Sequence, residues 1–292
     1  MNIKDLEYFK MVFIEKSFSQ AALQMHVSQP TITQAIKRLE EEFESELFIR
    51  NHSHQELQPT RAGRQLLVHV EQVLLELKLA RKELKQLEFG KVRVGLPPII
   101  GNYYLPQIFP ALFRSELINK FETTEAGSAD LRKQLIHGDL DIALLGSLSP
   151  ISDQGLKVDL FAQSRFKIVV SEKSPLAQKD TVKFADLQNE NFIVLDKGFV
   201  HQKALKQISQ QVHMRPKIIY STSDMHILKA LVAEGLGIGF LTESAIAATD
   251  RIHSLSLEDE EQPIFYMSTA YRQSKLLSAD EQSILELLQK EL

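Results

Sequence analysis

SFSQAALQMHVSQPTITQAIKRLEEE, residues 17–42, holds two helix starts separated by a short turn. Ser19 is a good N-cap for a helix that packs through Ala22 and Leu23. His26 and Val27 make the turn, and Ser28 caps a second helix whose first turn tolerates Pro30. Ile32, Ile36 and Leu39 form the inward stripe of that second helix. Its other face carries Gln29, Thr31, Thr33, Gln34, Lys37 and Arg38, side chains that hydrogen-bond base edges and phosphates. The acids Glu40, Glu41, Glu42, Glu44 and Glu46 follow that face. A tight turn between two helices, the second exposing Gln, Thr, Lys and Arg, is a helix-turn-helix design. A surface helix with a solvated polar face fits the same spacing equally well.

Upstream, Leu6, Phe9, Val12 and Phe13 predict a helix over about residues 4–15. Downstream, LFIR at 47–50 reads as a short strand, RNHSHQELQ at 50–58 as a loop, and Pro59-Thr60 as the next helix start. A basic hairpin in this place is a wing that reaches phosphates or the minor groove. Arg50, His52, His54, Arg61 and Arg64 are its positive or near-positive groups. His52, His54 and Glu56 also match an H-x-H-x-E metal pattern, but the loop offers no further ligand. The phosphate-facing reading is preferred, and no metal is expected.

Thr60 opens a helix expected to run to about Glu88. Leu66, Val70, Val73, Leu77, Ala80, Leu84 and Leu87 alternate in steps of four and three, a heptad seam. Such a helix spans roughly 40 Å. It either docks on the chain's own domains or pairs with a second chain, and the regularity of the seam favours pairing. Gly90 ends the element.

From residue 91 strand-like runs alternate with helical ones: VRVGL at 92–96, KFETTEA at 120–126, DIALLG at 141–146, FKIVVS at 166–171, FIVLD at 192–196, KIIYST at 217–222, GIGFLT at 237–242 and IFYMSTAY at 264–271. The last helix, SADEQSILELLQKEL, carries Ser278 and Glu281 as a capping box. This order predicts α/β sheets of parallel strands covered by helices. Ligands of such sheets bind beyond the carboxyl ends of strands, often at helix N-termini. Those positions are Pro97–Gly101, Gly127-Ser128, Gly146-Ser147, Lys197–His201 and Thr222-Ser223.

Composition narrows the classes. The 292 residues are 43% hydrophobic and 25% charged, ordinary for about two globular domains. Twelve Gly and ten Pro are too few for a fibre or a low-complexity chain. With no Cys, disulfides, thiolate metal sites and thiol redox switches are excluded. No apolar run is long enough to span a bilayer, so no membrane partner is expected. MNIKDLEYFK holds no secretory core, and the expected compartment is the cytoplasm. The formal charge is −4, spread as −1 over residues 1–65, zero over 66–90 and −3 over 91–292. DNA contact must therefore come from local placement of charge.

Four stretches together resemble the N-terminal domain of LysR-type transcriptional regulators: LEYF at 6–9, residues 17–42, LFIR at 47–50 and LQPTRAG at 57–63. The remainder resembles that family's effector domain, which is similar to periplasmic binding proteins. The resemblance is carried by residues 92–113, LRKQLIHGDLDIALLG at 131–146, SPLA at 174–177 and LVAEGLGIGFLTES at 231–244. It implies an α plus α/β chain: a winged helix-turn-helix over 1–59, a dimerisation helix over 60–90, and an effector-binding domain over 91–292. That domain divides into subdomain I, 91–162 with 267–292, and subdomain II, 163–266.

The resemblance further implies a homodimer or homotetramer on an imperfect palindromic operator of double-stranded DNA. RNA polymerase is a further candidate partner, and the signal is a small-molecule effector, a small carboxylate by family habit. Ser28, Gln29, Pro30, Thr31, Thr33, Gln34, Lys37, Arg38, Arg50, His52 and His54 are the candidate DNA contacts. Pro98, Ile99, Gly101, Ser128, Gly146, Ser147, Phe199, His201 and Ser223 are the candidate effector contacts. Asn102, Lys197 and Lys203 are further polar groups of that cleft, and His201 is expected to titrate near neutrality.

Three departures stand out. The family often has Arg and Gln where Gln34 and Ala35 stand, and usually Gly at Glu44, which asks for a different helix ending. Many members place Ser or Thr after the first strand of the effector domain, where this chain has Pro97, Pro98 and Ile99. Catalysis finds no support. Ser164 to Lys167 matches S-x-x-K without companion motifs, and Gly235, Gly237 and Gly239 stand between helix and strand, the wrong order for a nucleotide loop. No catalytic residue or cofactor is implied. A ligand-binding protein or enzyme on the same α/β fold, and a DNA binder without a ligand, are the competing readings.

Overall fold

The computed structural model describes residues 1–49, 57–86 and 90–290. Candidate residues Arg50, His52, His54 and Leu87, and Glu56 of the metal pattern, lie outside them. The chain forms two compact units, Met1–Phe89 and Gly90–Leu292.

The first unit begins with α1 (Ile3–Glu15), α2 (Phe18–Gln24) and α3 (Gln29–Glu42). Each start has its own cap. Asn2 and Asp5 form a capping box on α1, Ser17 accepts from Gln20 N–H, and Ser28 accepts from Thr31 N–H. The cap of α2 is thus Ser17, not Ser19, because Ser17 has the extended backbone that a cap requires. Phe9, Val12, Ile32, Ala35, Ile36 and Leu39 are fully buried and close the core with Leu47 and Phe48.

Glu44 lies at φ 46°, in the left-handed region just past α3, where Ser45 N–H reaches back to the Glu40 carbonyl. The helix keeps the ending that glycine normally serves, so the expected change of ending does not occur. A two-residue ladder follows, β1 (Phe48–Ile49) antiparallel to β2 (Gln58–Pro59). Then comes α4 (Arg61–Gln86), whose third residue takes its N–H to the Thr60 hydroxyl. That residue is Gly63, and a Cβ there would stand 2.3 Å from the Leu47 carbonyl oxygen. Only glycine lets α4 pass so close to β1.

The second unit runs β3 (Val92–Leu96), α5 (Pro98–Arg114), β4 (Phe121–Glu125), α6 (Ser128–Ile136), β5 (Ile142–Ser147), β6 (Leu156–Ser171), β7 (Thr181–Val182) and β8 (Asn191–Leu195). It continues with α7 (Val200–Gln211), β9 (Lys217–Thr222), α8 (Met225–Ala233), β10 (Ile238–Thr242), β11 (Ile252–Leu257), β12 (Ile264–Arg272) and α9 (Ala279–Lys290). The strands order as β4-β3-β5-β12-β6-β10-β8-β9, with β11 on β6 and β7 on β11.

The expectation of parallel strands holds only on the flanks, where β4-β3-β5 and β10-β8-β9 are parallel. In the middle β12 runs antiparallel to β5 and β6, and β6 antiparallel to β10 and β11. The reason is β6, sixteen residues long. Through Arg165 it pairs with β12, and from Phe166 with β10 and β11. It thereby divides the sheet into a first half (β4, β3, β5, β12) and a second half (β10, β8, β9, β11, β7). One apolar core runs through both, from Val94 and Ile108 to Phe192 and Leu228.

A buried polar network stands at the foot of the first half. Asp141, just before β5, accepts from Arg93 N–H at 2.9 Å and from its guanidinium in a two-pronged pair at 3.0 Å. Lys275 joins the same carboxylate and also Glu281 at 2.6 Å. Glu281 closes the capping box of α9 with Ser278.

Candidate DNA interface and effector cleft

On α3 the apolar stripe faces the core, which turns the polar face outward. Ser28, Gln29, Pro30, Gln34, Lys37 and Arg38 are exposed, and Thr31 and Thr33 are half-buried. Ser28 and Thr31 are joined hydroxyl to hydroxyl at 2.8 Å, so part of their bonding capacity already serves the helix start. Gln29, Thr33, Gln34 and Lys37 remain as the outward-facing candidates for reading bases. Lys37 meets Glu41 at 3.8 Å with both side chains largely in solvent, a weak tie.

Arg38 differs. Its Nε and Nη2 donate to the two carboxylate oxygens of Asp5 at 3.2 and 2.5 Å. The guanidinium that sequence offered to a phosphate is held by α1. Asp5 went unnoticed in the sequence because it lies 33 residues from Arg38. The Asn2-x-x-Asp5 spacing does signal its capping role. The Arg38 guanidinium and the Asn2 N–H hold the Asp5 carboxyl below its usual range against the opposing pull of burial. Near the hairpin, Arg61 is exposed, and Arg64 donates to the Pro59 carbonyl at 2.8 Å.

The proposed seam of α4 splits. Leu66 and Val70 pack into the core of their own unit, with Leu74 beside them. The same stretch of α4 meets α1, where Lys10 pairs with Glu71 at 3.1 Å. Val73, Ala80 and Leu84 are exposed, Leu84 by 68%, and Leu77 is half-exposed.

In the second unit the strand ends expected to bind ligand come forward as follows. Pro98 is half-buried at the start of α5, whose N-cap is Pro97, with no capping side chain. Ile99 and Gly101 are buried. Tyr104, in contact with Phe161, has its hydroxyl pushed up to about 12 by burial. The Ser128 hydroxyl accepts from Gly146 N–H at 2.9 Å, which ties the start of α6 to the end of β5. Ser147 donates to the Ser149 carbonyl. Phe199, the N-cap of α7, packs half-buried on the core. Lys197 and Lys203 are exposed. Ser223 is exposed too, beside Asp224, whose carboxylate already occupies the N-terminus of α8.

His201 is only 3% exposed, with its ring against Phe166 and Phe265. Its Nε2 accepts from Thr242 N–H at 3.2 Å, which leaves the ring proton on Nδ1. Burial pushes its pKa down to about 3, so the expected titration near neutrality is overturned. The phenylalanines that cause this come from β6 and β12, far away in sequence. Ser164 serves as a hydrogen-bond acceptor for Ser244 N–H.

A contact the sequence did not suggest joins the two halves. A Cβ on Gly127 would lie 3.3 Å from the Gly198 carbonyl oxygen. Gly127 is the N-cap of α6, and Gly198 immediately precedes the cap of α7. Two helix N-termini, from opposite halves of the sheet, are thus brought together. Among the described residues no three His, Cys, Asp or Glu cluster as a metal site, and no helix is long and apolar enough to cross a membrane.

A helix-turn-helix unit followed by a two-part α/β unit defines a ligand-responsive DNA-binding regulator. Comparison with known proteins agrees. Residues 3–64 match the model of the bacterial regulatory helix-turn-helix protein, lysR family, and residues 85–292 match the LysR substrate binding domain. The chain is 31% identical to the malolactic fermentation system transcriptional activator of Lactococcus lactis over 99% of its length and 98% of that protein's.

Among solved structures it is similar to a Corynebacterium glutamicum OxyR C206 mutant, with TM-score 0.60, 21% identity and coverage of 99% and 92%. Full-length CbnR complexed with its target DNA matches with TM-score 0.55, 19% identity and full coverage of both chains. The chain belongs to the LysR family of transcriptional regulators. It is a DNA-binding regulator with an effector-binding domain, not an enzyme.

Proposed function

We propose that this regulator reads an imperfect palindrome with α3 in the major groove and answers to a small carboxylate held between the two halves of its sheet. The observation that carries the effector reading is the meeting of α6 and α7 at Gly127 and Gly198. First-turn N–H groups have no partner within their helix and carry partial positive charge. Two such ends facing one gap favour an anion. Asp130, the acid of the first turn of α6, is drawn to Lys133 at 3.2 Å. Ser128 and Phe199 directly follow the two glycines, and in this reading subdomains I and II are the walls that close on the ligand.

The malolactic fermentation activator of L. lactis supports the same chemistry, since that fermentation concerns hydroxy acids. With no Cys, a thiol-based signal is not open to this chain. The exposed Val73, Ala80 and Leu84 support pairing of two α4 helices. Homodimers join further into a homotetramer, with the exposed edges of the effector unit as contacts. On β4 Glu122 and Glu125 are exposed, on β9 Lys217, Ile218, Ile219 and Tyr220, and an open apolar edge calls for cover. In this reading the protein acts in the cytoplasm, and RNA polymerase is a candidate partner at the promoter.

The test is footprinting of the DNA upstream of its own gene at fixed salt, with and without malate, lactate and other small acids. A protected palindrome whose footprint changes with one acid is expected. Protection that no acid changes refutes the carboxylate reading and leaves DNA binding intact.

A further inference from the structure

Gln34 and Arg38 stand one helical turn apart on the outward face of α3. Yet the Arg38 guanidinium turns back to α1, and both of its bonds end on one carboxylate, that of Asp5. The Asp5 side chain is 1% exposed and also accepts from Asn2 N–H at 3.0 Å. A second tie, from the Met1 ammonium to Glu42 at 3.6 Å, joins the same helix ends.

Glu40 adds a polar tie by accepting from Leu47 N–H at 3.0 Å, and most of the remaining hold on α3 is apolar, through Ile32, Ala35, Ile36 and Leu39. Apolar contact is non-directional and resists rotation about the helix axis weakly. A two-pronged guanidinium–carboxylate pair is directional. We propose that Arg38 is a positioning residue for DNA reading: its pair with Asp5 sets the rotation of α3 that presents Gln29, Thr33 and Gln34. This takes the place of the phosphate contact suggested by sequence, and it rests on α3 being the reading helix. Lysine cannot substitute, because a point charge lacks the second prong.

The experiment compares binding of the full-length protein to its footprinted operator and to a scrambled duplex over a range of salt. The variants are Arg38→Lys, Arg38→Gln, Asp5→Asn, the double Arg38→Gln/Asp5→Asn, and Gln34→Ala, each with its melting temperature. Arg38→Gln and Asp5→Asn are expected to lower operator affinity about tenfold, with the double variant losing no more than either single one. The operator-to-scrambled ratio falls with them, the slope of log K against log salt stays that of wild type, and Arg38→Lys restores only part of the ratio.

A phosphate contact would instead make the Arg38→Gln slope shallower by about one and leave the ratio intact. Asp5→Asn and Arg38→Lys would then bind like wild type, and that result overturns the proposal. Should Arg38→Gln not fold, Arg38→Lys decides: a wild-type ratio overturns the proposal and a lowered one supports it. Gln34→Ala with an unchanged ratio would remove α3 from the reading role, a failure distinct from that of Arg38.

Discussion

Asp141→Asn removes the centre of the buried network that ties β3 and β5 to the segment before α9. Its carboxyl is wholly inside, against Arg93 and Lys275. Burial alone would raise its pKa, but the Arg93 guanidinium and the Lys275 ammonium win and hold it at about 2, against 3.8 when unfolded. That difference, near two pH units, contributes about 2.5 kcal/mol at neutral pH. The folded pKa is the lower one, so the contribution is complete above pH 3.8 and fades as pH falls through 2. The substitution also strands cations. Lys275 keeps Glu281 and Arg93 is partly solvated, which places the total loss near the low end for breaking a buried pair, about 3 kcal/mol.

The assay is hydrogen exchange of the β3 and β5 amides in the full chain, wild type against variant, from pH 7 downward. With opening free energies corrected for intrinsic exchange, the gap should be about 3 kcal/mol at pH 7 and should shrink towards pH 2. A gap under about 1 kcal/mol, or one that pH does not change, would refute the reasoning.

Glu44→Gly should stabilise the first unit by about 1 kcal/mol in denaturant unfolding, because it relieves a side chain from φ 46°; a loss would show that Glu44 has a compensating role. Since His201 is neutral when folded and protonated when unfolded between pH 6.5 and 3, stability should decline on acidification through that window. His201→Gln should flatten the decline, and an NMR titration showing the wild-type ring charging near pH 6.5 would contradict it. Leu84→Glu should shift the protein towards monomer in sedimentation, whereas Val70→Glu, facing the core, should unfold the first unit instead.

What the sequence conveyed was mostly local. KIIYST at 217–222 became β9 with the same limits, and the Ser278/Glu281 box formed as spaced. Three readings failed where distant partners decide. The strand beginning at Phe166 was only the second part of β6, since Leu156–Arg165 alternates too weakly to stand out before β12 pairs with it. Leu66 and Val70 matched a heptad, but periodicity does not say which surface the seam meets. His201 read as a cleft residue titrating near neutrality, although Phe166 and Phe265 pack against its ring. Likewise the Gly127–Gly198 approach is a property of tertiary structure, and neither glycine sits in a recognisable turn motif.

The pairing of Ile264 with Arg165 has a bearing on how information travels. The chain enters the second half of the sheet along β6 and leaves along β12 at adjacent rungs of one ladder. That half is therefore a guest inserted into a host that holds both β3, next to the α4 connection, and α9. Covalently, the guest hangs on a two-strand ribbon and has no route of its own to the reading head. Strain raised in the guest has that ribbon as its one covalent path into the host, with the shared apolar core and the Gly127–Gly198 approach beside it.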